Sequence, residues 1–212
     1  SSAGIGKAIA QHAIDRGAKV MINGRDEDRL AACARELNCA GITADIGQAE
    51  QAKMLAEECN QQLGGIDILI NNAGWGRRMP LDELDPQCFE DIWRSNVLGS
   101  ALIAHYCLPF LEASAGASIV NIASTAGKKG YQNGSAYCSS KFALRGMTEC
   151  WQAELRPKGI RVILVNPSEV QTGFGGRDLQ APKNPNKLVA DDIAQTVCQS
   201  LELPQHALIP EV

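Results

Sequence analysis

Short apolar runs alternate with helical patterns along almost the whole chain, and this alternation restricts the possible folds more than any other feature. Residues 18–23, 41–46, 65–70, 117–123 and 160–166 read as strands. Between them lie helical patterns: Lys7 to Ile14, Glu27 to Leu37, a run through Met54, Leu55 and Leu63, and a run through Leu98, Leu102, Tyr106 and Leu111. Leu144, Met147, Trp151 and Leu155 form an apolar stripe that stops at Pro157-Lys158-Gly159, and Leu188 to Leu201 is a last helix with Asp191 and Asp192 in its first turn. Residues 207–210 read as the start of a further strand. Strands that are apolar throughout and joined by helices belong in a parallel sheet covered on both faces. The predicted class is therefore α/β, a doubly wound parallel sheet. With 212 residues, 45% of them hydrophobic, residues 1–212 suffice for one buried core and read as a single domain.

Charge and cysteine usage exclude several functions. A formal charge of −4, with Arg77-Arg78 and Lys128-Lys129 as the adjacent cations, argues against a nucleic-acid partner. No apolar run reaches about 18 residues and no signal-peptide layout opens the chain, so a soluble, cytoplasmic protein without membrane attachment is expected. The eight cysteines lack C-x-x-C spacing and nearby histidines, which predicts reduced thiols and no zinc. Cys138 stands beside Tyr137, and nothing further marks it. Three scattered histidines make neither a hydrolase triad nor a metal site, and His105 reads as a packing or capping residue.

Ligand-binding signals fall where strands end. Ser1-Ser2-Ala3-Gly4-Ile5-Gly6 runs straight into a helix, an arrangement that lets backbone N–H groups and the positive helix end meet a pyrophosphate. The strand that should precede such a loop is missing from the numbered chain. The expectation is that residues lie upstream of Ser1, and that without them neighbouring strands would face a gap of about 10 Å. After residues 18–23 the strand tip offers Gly24 and Arg25, which favours NADP over NAD; Arg25 could equally begin the next helix in solvent. Asp45 marks the exit of the next strand. Asn71-Asn72-Ala73-Gly74, at the end of residues 65–70, suits a ligand crevice or an ordinary turn. Arg77, Arg78 and Met79 read as a solvated loop in preference to a contact with substrate or cofactor phosphate. Asp85-Pro86 starts another helix, and Asn96 leads into the next, as a buried amide or a catalytic post.

The most chemical spacing is Tyr137 and Lys141. Four residues apart at the start of a helix, they share one face, and a nearby ammonium favours a phenolate and brings its pKa toward the working range. Tyr137 is then the acid or base and Lys141 its tuner. Ser124 stands at the exit of residues 117–123, thirteen residues before Tyr137, and a turn-rich segment can fold it back beside the phenol. The Gly- and Pro-rich residues 173–185 suggest a mobile segment over the crevice.

Taken together and in this order, the glycine loop, Asp45, Asn71 to Gly74, Asn96, Ser124, Tyr137-x-x-x-Lys141 and Asn166 to Thr172 resemble the short-chain dehydrogenase/reductase family over essentially the whole chain. The resemblance implies a Rossmann sheet and hydride transfer between NADP(H) and a ketone or secondary alcohol, with Asn96, Ser124, Tyr137 and Lys141 as catalytic set. It implies cofactor contacts from Ser2, Gly4, Ile5, Gly6, Arg25, Asp45, Ile46, Asn72, Ala73, Gly74, Tyr137, Lys141, Pro167, Ser168, Val170 and Thr172. Asn96 would anchor a water path, Asp45 would contact adenine, and Val170 and Thr172 the carboxamide. The family further implies a homodimer or homotetramer, and within it the chain resembles the 3-oxoacyl carrier-protein reductases. An NAD-dependent alcohol, sterol or sugar dehydrogenase and a silent nucleotide-binding protein are the alternatives. Two departures stand out: Pro167-Ser168 replaces the family's usual Pro-Gly, and the segment after Thr172 is short.

Overall fold

The computed structural model describes residues 2–176, 178 and 184–212. Its elements, in chain order, are α1 (Gly4–Asp15), β1 (Met21–Gly24), α2 (Glu27–Leu37), β2 (Ala40–Thr43), α3 (Ala49–Leu63), β3 (Ile68–Asn71), α4 (Pro86–Trp93), α5 (Gly99–Glu112), β4 (Ser118–Ile122), α6 (Ser135–Leu155), β5 (Arg161–Val165) and α7 (Ala190–Glu202). All named strand pairs are parallel: β1 with β2, β3 with β4 and β4 with β5. The alternation in the sequence therefore becomes the expected α/β sheet.

Side-chain alternation along the strands sorts the helices. Ile119 and Val162 point into a cluster with Leu55, Ile103, Cys107 and Leu111, which puts α3 and α5 on one face. Leu144 of α6 joins that face through Ala123 and Leu164. Val120, Ile122, Ile163 and Val165 point the other way, onto Ile9 of α1 and Ile193 and Val197 of α7. Helix α2 covers Ile22 with Leu30, Cys33 and Leu37. Period-two burial of apolar side chains on both faces is what a parallel sheet demands.

The strands form two groups. β1–β2 and β3–β4–β5 are two separately hydrogen-bonded sheets. Between β1 and β3 lies a cavity of about 580 Å³, whose lining includes Ala10, Ile22, Leu55, Ile70, Ile103 and Leu201. Strand order runs outward in opposite directions from this break, so it is the topological switch point at which α/β sheets bind ligands beyond the strands' carboxyl ends.

Several boundaries move. Strand pairing begins at Met21, because Met21 is the first residue opposite a partner, Ala40, and β3 begins at Ile68 for the same reason, opposite Ser118. The buried stripe of α5 is Ile103, Cys107 and Leu111, not the series from Leu98; Leu98 is exposed. The last strand starts at the end of residues 207–210, not at 207. The chain pairs with β5 only from Pro210 to Val212, through Leu164 N to Pro210 O at 3.0 Å and Val212 N to Leu164 O at 2.9 Å. All eight cysteines are free thiols. Among the described residues no helix is long and apolar enough to cross a membrane, and no group of three or more His, Cys, Asp or Glu could hold a metal ion.

Arg161 closes the sheet's amino-terminal edge. Its guanidinium is buried and donates to Ser118 Oγ and to the carbonyls of Leu201, Leu203 and Ala207, which caps the end of α7. Removing it leaves these acceptors without a donor. Arg161→Ala should cost about 3 kcal/mol of stability, read as a lowered urea midpoint at unchanged m-value.

Candidate active site

The side chains singled out in the sequence collect at the carboxyl ends of β1, β3, β4 and β5 and at the first turns of α6. Ser124 follows β4 in extended backbone and caps the short turn Thr125–Gly127, its Oγ accepting from Ala126 N at 3.1 Å. Its Oγ donates to Pro167 O at 3.5 Å, and it stands close enough to the Tyr137 phenol to lower its pKa. Tyr137 is packed against Phe174, ring centroids 5.4 Å apart, and lies under Gly76, where a Cβ would come within 2.6 Å of the ring. Lys141 is buried, with its Nζ 5.7 Å from the Tyr137 ring centroid and donating to Ile122 O at 2.8 Å.

The electrostatics differ from the simple expectation. Burial pushes the Tyr137 phenol up to about 12, with the nearby Ser124 hydroxyl acting the other way. Burial also lowers Lys141 to about 8. The ammonium is bonded to the Ile122 carbonyl, 5.7 Å from the tyrosine ring centroid, and burial outweighs it, so the expected lowering of the Tyr137 pKa by Lys141 is not what this arrangement produces. The phenol stays protonated across neutral pH.

Asn96 is another correction. It does not open a helix but sits in a π-helical turn, Arg94–Leu98, that joins α4 to α5. Its side chain is fully enclosed: Nδ2 donates to Trp75 O and Ser140 Oγ, both at 2.9 Å, and Oδ1 accepts from Trp75 N at 3.0 Å. Ser140 Oγ in turn donates to Tyr137 O at 2.7 Å. The amide thus ties the loop after β3 to the first turn of α6. Ser140 and Trp75 escaped the sequence reading; the serine directly before Lys141 was the available signal.

Around this centre the remaining residues divide. Gly74 belongs at the site, because a Cβ there would stand 3.0 Å from Asn96 Oδ1 and 3.6 Å from Lys141 Nζ. Thr172 lies over Gly4, whose φ of 55° suits a residue without a side chain, so the loop after β5 meets the glycine loop. Ser2 Oγ lies 3.2 Å from where a Gly24 Cβ would be and accepts from Arg29 Nε at 3.3 Å. Arg25 is exposed beside them, and Arg29 is a cation the sequence reading missed. Pro167 O accepts from Thr125 N, which fixes the Ser124 turn. Ser168 and Ala73 are exposed, and Asn72 is half-buried.

Two expected cofactor contacts, Ile46 and Val170, have their side chains in the core. Ile46 packs into the core beneath Gly99, and Val170 is buried with the α1 and α7 residues, because both are apolar and sit one step below the surface of the crevice. Asp45 spends one carboxylate oxygen on Gly47 N at 3.0 Å. Ser1, Arg177 and residues 179–183 lie outside the described residues, so the start of the glycine loop and part of the expected covering segment do too.

A dinucleotide fits this crevice on the chain's own features. The first turn of α1 has no side-chain cap at Ala3, leaving its N–H groups for a phosphate. Gly4 and Gly74 keep open the space that side chains would fill.

The comparisons agree with this geometry. A short chain dehydrogenase family model matches residues 1–182. An uncharacterized oxidoreductase of Staphylococcus saprophyticus is 32% identical over all of this chain and 92% of its own length. An alcohol dehydrogenase from the archaeon Thermococcus sibiricus, solved with 5-hydroxy-NADP, superposes with a TM-score of 0.93 at 28% identity, covering 100% of this chain and 91% of its own. A serine dehydrogenase complexed with NADP+ superposes at 0.92 with 27% identity, covering 100% and 90%.

Burial of the Lys141 cation carries a testable cost. Its pKa is about 8 in the folded chain and 10.5 for the free side chain, so between these values the unfolded chain holds the proton that the folded one has lost, and the penalty fades as pH rises. Lys141→Met removes the penalty. Its stability advantage over the unsubstituted chain should shrink by about 2 kcal/mol from pH 7 to pH 10 in paired urea melts.

With a Ser-Tyr-Lys cluster at the carboxyl edge of a doubly wound parallel sheet and a family match over most of its length, the chain belongs to the short chain dehydrogenase family of NAD(P)-dependent oxidoreductases.

Proposed function

We propose that the protein is an NADP(H)-dependent reductase of ketones in which Tyr137, Ser124 and Lys141 do the chemistry and Asn96 positions them. The observation that carries this reading is the gathering of Tyr137 and Lys141, its Nζ 5.7 Å from the tyrosine ring centroid, at the start of α6 with Ser124 near enough to act on the phenol. Bound NADPH supplies the hydride that becomes the new C–H bond of the alcohol. Tyr137 gives its proton to the carbonyl oxygen as the C=O electron pair turns into an O–H bond, and a phenol held near 12 enters that step protonated. Ser124 donates to the oxygen while charge develops on it. Lys141 adds positive charge near the phenolate that Tyr137 becomes. Asn96 and Ser140 hold Trp75 and Tyr137 in place.

NADP is favoured over NAD by Arg25 at the tip of β1 and by Arg29 beside Ser2. The alcohol dehydrogenase from Thermococcus sibiricus and the serine dehydrogenase, both bound to NADP forms, support the same choice. Small carbonyl compounds, 3-oxoacyl types among them, are the substrate class. A homodimer or homotetramer would cover Leu98 and Phe142, both about half exposed next to α5 and on α6.

Absorbance at 340 nm across a carbonyl panel, with NADPH and again with NADH, tests the reading; absence of turnover with either cofactor overturns it. Ser124→Ala should lower kcat about a hundredfold or more while NADPH still binds, and Tyr137→Phe should abolish turnover. Reduction should fall on the alkaline side with an apparent pKa about 8, because Lys141 loses its charge there while Tyr137 keeps its proton.

A further inference from the structure

Arg78 is a cation held at the rim of the active site with no ion partner among the described residues. Its guanidinium carbon lies 5.3 Å from the centroid of the Tyr131 ring. Tyr131 is itself fixed over the start of α6: a Cβ on Gly134 would meet its ring at 2.5 Å and the Cys138 sulfur at 2.9 Å. Tyr131 is also near enough to Tyr137 to act on its ionisation. The position of Arg78 comes from the backbone, because Met79 N donates to Asn133 O at 2.8 Å and the Met79 side chain is buried against Cys88, Ile92 and Ala136. The neighbouring Arg77 differs. It faces Asp85 at 3.7 Å.

A guanidinium lying on an aromatic ring uses its face and leaves the N–H donors at its edge for a second partner. Those donors match a carboxylate in a paired, planar contact. Among the described residues no carboxylate pairs with Arg78, and Asp85 is taken by Arg77. The sequence alone made this residue part of a solvated loop; the Met79–Asn133 bond and the Tyr131 ring turn it toward the rim.

We propose that Arg78 binds a carboxylate on the substrate, so that the enzyme reduces keto acids in preference to their neutral esters. This rests on the reading of the site as a ketone reductase. The carbonyl then sits at Ser124 and Tyr137, and the acid group lies outward along Tyr131.

The test compares acetoacetate and levulinate with their methyl esters, each reduced by NADPH. The acids should show the higher kcat/KM, and the preference should weaken as salt is added, because the contact is exposed. Arg78→Gln should reduce the acid-to-ester ratio about tenfold or more, chiefly through the KM of the acid, and Arg78→Lys should restore part of it. Arg77→Gln should leave the ratio unchanged. Equal loss for acids and esters in Arg78→Gln, or a rise only in the KM for NADPH, overturns the proposal while leaving the reductase reading in place. If no ketone is reduced at all, the reductase reading fails and the proposal falls with it.

Discussion

Helix α6 carries both Tyr137 and Lys141, so the site depends on whatever holds that helix against the sheet. A buried chain of hydrogen bonds does so. Asn71 at the end of β3 donates to Asn121 in β4 at 2.9 Å, Asn121 donates to Thr148 Oγ1 at 2.8 Å, and Thr148 donates to Leu144 O at 2.7 Å. None of these three side chains has meaningful exposure. A buried amide costs free energy unless every donor and acceptor is met, so the chain admits little sliding of α6 along β4. Asn96 and Ser140 add a second tie at the amino-terminal end of the same helix.

A second network fixes the opposite wall. Glu211 takes both Arg145 nitrogens at 3.1 and 3.0 Å, pairs with Lys128 from the turn after Ser124, and accepts from Asn166 at 2.9 Å. These partners hold the Glu211 carboxyl at about 2. The short strand Pro210 to Val212 is thereby attached to α6, β5 and the Ser124 turn together. Asn166 Oδ1 is the one buried side-chain atom without a partner among the described residues. It stands one residue before Pro167, whose carbonyl fixes the Ser124 turn.

Burial shapes the chemistry more than charge does. The same packing that raises the Tyr137 phenol lowers Lys141, since both shifts oppose the charged form in a poorly solvated site. A neutral phenol and a marginal ammonium side by side suit proton donation to a carbonyl. A buried cation also weakens the fold, a trade common where function requires a strained group.

The sequence by itself determined the fold class and the order of helices and strands, and it marked Ser124, Tyr137 and Lys141 as candidates. Those features are written in local periods and in spacings that need no partner to be read: α2 falls at Glu27–Leu37, where its pattern places it. Only the tertiary structure decided where strand pairing starts, that Asn96 braces Trp75 instead of facing the crevice, that Ile46 and Val170 are core, and that Arg78 lies on Tyr131. Each of these depends on a neighbour more than ten residues away. Polar and apolar side chains alike declare their role only once the element opposite them is in place.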